Sequence, residues 1–514
     1  MTLITAGCGG GSSNRSPAAR ATALVLMARA PDSLDPAVGD TPEALEADWL
    51  VYTPLLTYRH AAGPPGTQLA PGIAQTLPGI AAGGTIYTFT LVKGLRYSNG
   101  QPVHASDFTL AVERAIRLWP QASRLITSRI AGAAAFAAGH AKTIAGITTD
   151  DQSGQITIRL TAPFGAFENV LALPVLAPVP AGTTFKDQRA DPPPGVGPYR
   201  FADVVAGRSF SLVRTSGWPS SGVGVPAGHL DIEVRITGDA TANARAVLDG
   251  AADVFDSADQ IPPSLLGQVR QRAANRYLAR PTAATSLVFL DTSRKPFSSQ
   301  LAREAVRAGL GQAAMTGLDP DLISGCFVLP PMVYGHPQGP CPPGDPVHGD
   351  LALARALVRR SGMAGTRVAV SAGAGSPLTQ WLSVYVSLLD QIGFEASLQH
   401  GHGSHDPQTG LLTLDPRLPN PVYFYEQLIG PASRSRIADP YLNTALSALA
   451  AVPGSTLIGV SGYWSQLERY VADRAYVAVL GYPTAPELVS SRIDFPAVVF
   501  SPLAGVDWSS LALK

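Results

Sequence analysis

The chain has 514 residues, more than one ordinary core absorbs, so two or three domains are expected. Its 38 basic residues balance 38 acidic ones and only 15% of residues are charged, which leaves no electrostatic footprint for nucleic acid or an anionic membrane surface. Apolar residues reach 46%, with 51 Gly and 45 Pro; apolar periodicity persists throughout, so many short connections are expected rather than disorder. No run reaches the roughly 18 apolar residues that a transmembrane helix needs.

Near the start, Thr5-Ala6-Gly7-Cys8 is similar to a lipobox, where a signal peptidase exposes a Cys for lipidation. A Gly/Ser-rich stretch follows, suited to a flexible tether. Cys8 is the candidate lipidation site and residues 1–20 the candidate anchor segment. Only seven residues precede Cys8, without a leader's basic start and apolar core, so this reading expects a start further upstream. Residues 23–30 then read as a strand, 31–36 (PDSLDP) as a turn, and 51–56 (VYTPLL) as the end of a helix.

Residues 87–91 (YTFTL) alternate and carry aromatic and β-branched side chains, so a strand is expected. Ser98-Asn99-Gly100-Gln101-Pro102 reads as a turn. Ser106 is expected to cap a helix burying Phe108, Ala111, Val112, Ala115 and Ile116 at helical spacing. Strands are expected again at 155–160 and after the glycines of Gly195-Val196-Gly197-Pro198-Tyr199. A helix is expected over 240–251, a strand over 286–291, and helices over 350–360 and 381–392. Ala354, Leu357 and Val358 should face the core, and Gly393 should close the last of these helices. Cys326 and Cys341 flank a Gly/Pro-rich loop. In an exported protein such an even pair favours a disulfide, with two free thiols as the alternative.

Taken together, Lys93-Gly94, Tyr97-Ser98-Asn99-Gly100, Pro102, Ser106-Asp107, Leu34-Asp35-Pro36 and Gly195–Phe201 (GVGPYRF) resemble family 5 of the bacterial extracellular solute-binding proteins. These are the dipeptide- and oligopeptide-binding components of ABC transporters. The resemblance runs in order from about residue 23 to about 392. It implies an α/β, two-lobed periplasmic-binding-protein fold (type II, cluster C-like), with a hinge and a ligand cleft between the lobes. Lobe I would hold residues 21–280, elaborated by about 51–163, and recover the chain at 481–514. Lobe II would hold 281–480, with crossings near Thr285 and 479–482. The implied function is capture of a peptide or peptide-like solute for an ABC permease by a monomer. It needs no cofactor, contacts no nucleic acid, touches the membrane only through a lipid anchor, and catalyses nothing.

The family's amine-binding segment aligns with residues 412–421 (LTLDPRLPNP). The alignment puts Arg417 where an acidic residue is usual, with Asp415 two residues earlier. An Arg there would suit a carboxylate or phosphate. The candidate ligand-binding residues are Tyr52, Asp415, Arg417, Asn420 and Tyr423, with core packing as the alternative for the aromatics. A separate signal is His400-Gly401-His402-Gly403-Ser404-His405-Asp406. It reads first as a solvated loop. His400, His402 and His405 are weaker candidates for holding a metal, in a nickel-chelate or haem carrier or in a metal-dependent hydrolase. Nucleophile-elbow, Walker, dinucleotide-binding and C-x-x-C motifs are absent.

Overall fold

A computed structural model describes residues 21–219, 222–311, 322–341, 349–372, 381–399, 407–415, 418–430 and 432–514. Cys8, His400, His402, His405 and Arg417 lie outside the described residues.

Three larger sheets organise these residues. The first has seven strands in the order Tyr277–Pro281, Thr484–Val489, Val254–Phe255, Thr22–Met27, Asp231–Ile236, Ser209–Arg214 and Tyr199–Val205. Thr22–Met27 lies parallel to both of its neighbours, and the outer pairings are antiparallel. The second has five strands in the order Glu395–Leu398, Arg367–Ala372, Thr409–Leu414, Thr285–Leu290 and Val477–Gly481. The third is a four-stranded antiparallel sheet of Gly79–Ala81, Ile86–Thr90, Gln155–Arg159 and Ile147–Asp150.

Thr285–Leu290 shows how the layers join. All six of its residues are buried, as expected of a strand covered on both faces. Side chains alternate between faces, and the two faces meet different partners. Leu287 and Phe289 belong to an apolar cluster shared with Tyr87, Phe89, Ile156 and Ile158 of the four-stranded sheet. Val288 and Leu290 belong to another, under the helices Gln300–Gly309, Leu351–Ser361 and Leu382–Ile392. Ala354, Leu357 and Val358 are buried in that second cluster, and Gly393 ends its helix in the left-handed region at φ 111°.

The helix Ala105–Leu118 buries Phe108, Ala111, Val112, Ala115 and Ile116. Its cap differs from the sequence expectation. His104, not Ser106, occupies the N-cap position. The Asp107 carboxylate accepts from the His104 amide at 2.9 Å and from the Tyr97 hydroxyl at 2.8 Å. Ser106 instead points outward and bonds Asp151. The aromatic of the preceding turn thus determines where the helix starts.

The chain passes twice between the seven-stranded and five-stranded sheets. One passage leads from Tyr277–Pro281 into Thr285–Leu290, the other from Val477–Gly481 into Thr484–Val489. The Thr282 amide and hydroxyl both donate to the Pro483 carbonyl, at 3.1 and 2.9 Å, so the two passages are tied together. This is a two-lobed α/β fold with paired crossings.

Candidate functional site

The site region is the seam where the segment 163–176 and the four-stranded part face the chain that follows Thr409–Leu414. Leu414 pairs with Thr285 at the crossing between the sheets, and Asp415, the next residue, is exposed. Asp415 keeps accessible surface, yet desolvation by surrounding protein pushes its carboxyl above the ordinary range. A carboxyl in such a setting gains from a cationic partner.

Behind it the seam is sealed by hydrogen bonds. Asn420 caps the helix Pro421–Glu426, its Oδ1 accepting from the Val422 amide at 3.1 Å. Its Nδ2 donates to Asn169 Oδ1 at 2.9 Å, and Asn169 Nδ2 donates to the Tyr58 hydroxyl at 3.1 Å. All three residues are at most 2% exposed. Tyr423 reaches across at its hydroxyl to the Ala166 carbonyl, 3.5 Å away, and its ring meets Phe164 edge-on. Arg129 lies over the Phe164 ring and bridges to Glu426 at 3.3 Å.

Further along, the Gly165 amide donates to the Ala450 carbonyl at 2.8 Å and the Gly454 amide to the Gly165 carbonyl at 3.0 Å. The Glu168 carboxylate takes the Ser455 amide at 2.8 Å and the Ser455 hydroxyl at 2.9 Å. Burial raises the Glu168 carboxyl, and the Ser455 donors oppose the shift. A side chain at Gly165 would put its Cβ 1.7 Å from the Val452 carbonyl oxygen, so only Gly permits this approach.

Two sequence candidates change role. Tyr52 is fully buried under the seven-stranded sheet, and its hydroxyl donates to the Pro193 carbonyl at 2.8 Å. It is a core residue, because its hydrogen bond is satisfied inside the lobe and no surface remains for a ligand. Asn420 joins the two sides of the seam rather than lining open space, since both ends of its amide are engaged by protein. Tyr423 is half-buried at the same seam, and Asp415 is accessible. Cys326 and Cys341 sit with their sulfurs 2.14 Å apart and Cα atoms 5.8 Å apart.

Sequence reading missed Tyr58, Glu168, Asn169 and Ser455. A signal was present: Glu168-Asn169 is a polar pair inside the otherwise apolar run 164–179. The seam brings together amides, phenols and carboxylates, hydrogen-bonded to one another within the protein.

Fold and seam define a two-lobed solute-binding protein. The chain belongs to the bacterial extracellular solute-binding proteins, family 5: the family model, described as its Middle part, matches residues 68–430. Among solved structures, "Clavulanic acid biosynthesis oligopeptide binding protein 2" is 20% identical with a TM-score of 0.80, covering 96% of both chains. The unliganded open form of MppA, a periplasmic murein tripeptide binding protein, is 18% identical with a TM-score of 0.79, covering 96% of this chain and 98% of its own. At these identities the likeness is one of fold. A curated relative, the probable deoxycholate-binding periplasmic protein YgiS of Escherichia coli (strain K12), is 41% identical over 106 residues, 20% of this chain and 19% of the relative. Among the described residues no helix is long and apolar enough to cross a membrane.

Proposed function

We propose that this protein captures a peptide or peptide-like solute between its lobes and hands it to an ABC transporter permease. The observation that carries this reading is Asp415, an accessible, partly desolvated carboxyl at the end of the strand that pairs with the crossing. It would hold the ligand's free amine. Family membership and the peptide-binding names of the two similar structures support the same reading. Lobe I comprises 21–280 and 481–514, and lobe II comprises 281–480. Ligand contacts to both lobes stabilise the closed arrangement, which the permease reads. The chain acts as a monomer, held at the membrane through lipid on Cys8.

The test is calorimetric titration with a panel of tripeptides and tetrapeptides, each with a free and an acetylated N-terminus. Free amines are expected to bind, acetylation to weaken binding at least tenfold, and Asp415→Asn to erase the difference. Response to deoxycholate with none to any peptide would overturn the peptide reading.

A further inference from the structure

A surface cavity of about 340 Å³ opens between the turn 94–100 and the last two strands of the seven-stranded sheet. None of the seam residues lines it. Its lining includes arginines from three separate segments: Arg96 of the turn, Arg200 of Tyr199–Val205 and Arg214 of Ser209–Arg214. Trp218 forms a further wall. Guanidinium groups repel one another, so three around one cavity call for negative charge among them. The protein supplies it to Arg214 alone. Asp231 Oδ1 accepts from Arg214 Nε and from the Arg214 amide, each at 3.1 Å. Among the described residues Arg96 and Arg200 pair with no carboxylate. Arg96 donates through Nη1 to the Gly100 carbonyl at 2.9 Å, and both side chains belong to exposed residues. Three guanidiniums against one carboxylate leave an excess of positive charge in the cavity wall.

The walls are also held in place before any ligand arrives. Arg96 stands between Leu95 and Tyr97, which are 7% and 2% exposed. The Ser98 amide donates to the Gly195 carbonyl at 2.9 Å, and the Thr215 amide to the Pro198 carbonyl at 2.8 Å. The Trp218 indole N–H donates to the Val225 carbonyl at 2.9 Å, which fixes the ring. Walls ordered in advance lower the entropy cost of binding. A second cavity of about 220 Å³ shares Ser98 and Arg200 with the first and is lined by Val51, Pro193 and Phe201. Arg200 thus stands between a basic cavity and one with apolar sides.

We propose that the larger cavity binds a phosphate group, with Arg96, Arg200 and Arg214 as its donors. The guanidinium fork matches phosphate oxygens in pairs. Donors from three segments suit the several oxygens of a tetrahedral anion better than the two of a planar carboxylate. Trp218 and the adjoining cavity offer an attached organic group an apolar surface. The same chemistry is presented by a soluble phosphate and by the headgroup of an anionic phospholipid.

The test has two arms, both on the full chain at low ionic strength. One is calorimetric titration with inorganic phosphate and with glycerol 3-phosphate. The other is flotation with vesicles of phosphatidylglycerol and phosphatidylcholine, against phosphatidylcholine alone. Binding in at least one arm is expected, and the arm that responds identifies the source. The double variant Arg96→Ala/Arg200→Ala should weaken that binding at least tenfold. Both residues are exposed and without an ion pair, so the variant should keep the parent's melting temperature. Lys142→Ala/Lys186→Ala removes the same charge at exposed residues outside the cavity and should leave binding intact. No binding in either arm, undiminished binding by the arginine variant, or an equal loss in the lysine variant would overturn the proposal.

Discussion

Asn169 stands between Asn420 and Tyr58, with a hydrogen bond to each. Asn169→Ala leaves a buried amide donor and a phenol unpaired, and should cost about 1–3 kcal/mol in denaturant unfolding. Tyr52→Phe is the contrasting case. It loses the bond to the Pro193 carbonyl and should cost about 1 kcal/mol, while ligand affinity stays as in the parent. A tenfold loss of affinity would return Tyr52 to the binding surface. Glu468 supplies a pH effect. It is buried in the helix Ser461–Asp473, taking the Tyr425 hydroxyl and the Leu329 amide, and burial pushes its carboxyl up to about 7. A folded-state value raised above the unfolded one means stability is complete at acid pH and is lost as pH rises through about 7. Thermal unfolding across that range should show this decline, and Glu468→Gln should flatten it.

Elements behave as units here because their ends are tied to neighbours. The helix Ala105–Leu118 starts where Tyr97 and the His104 amide converge on Asp107. Asp107→Ala should therefore cost about 1–2 kcal/mol, the upper end because it also orphans a buried phenol. The loop between Cys326 and Cys341, 15 residues apart, is expected to be pinned by a bond between them. A loop of that length constrains the unfolded chain by about 3 kcal/mol. Intact mass after thiol blocking, with and without prior reduction, tests the bond, and two additional blocking groups after reduction are the expected result. Periodicity located the helix over 105–118 well, since its apolar spacing is local information. It misassigned the cap, because the choice between His104 and Ser106 depends on Tyr97, a contact made only after the turn has formed.

Over the whole molecule, the lobes share one apolar cluster that runs from the four-stranded sheet through Leu287 and Phe289 to Val422 and Leu442. The seam is thus a packing contact as well as a polar one, and Gly165 is a tight point in it. Gly165→Ala should hold the lobes apart and weaken ligand binding with little change in lobe stability. Small-angle scattering with and without ligand would detect the lost compaction. Motifs spread from Leu34 to Gly393 were enough to name the family, because each encodes a local turn, cap or strand that the scaffold needs. The strand expected over 286–291 is found at Thr285–Leu290, although its two different partners are not legible in those residues.

What the sequence determined by itself was the scaffold: local periodicity, turn chemistry and a family's ordered motifs survive without knowledge of distant contacts. Tertiary structure alone decided which polar residues face which. Tyr52 and Asn420 looked like binding residues in the chain; Tyr52 is a core phenol, and Asn420 is a helix cap bonded to Asn169. Arg96 and Arg214, far apart in the chain, became walls of one cavity. Burial and pairing are properties of chain segments brought together from far apart, and no local pattern records them.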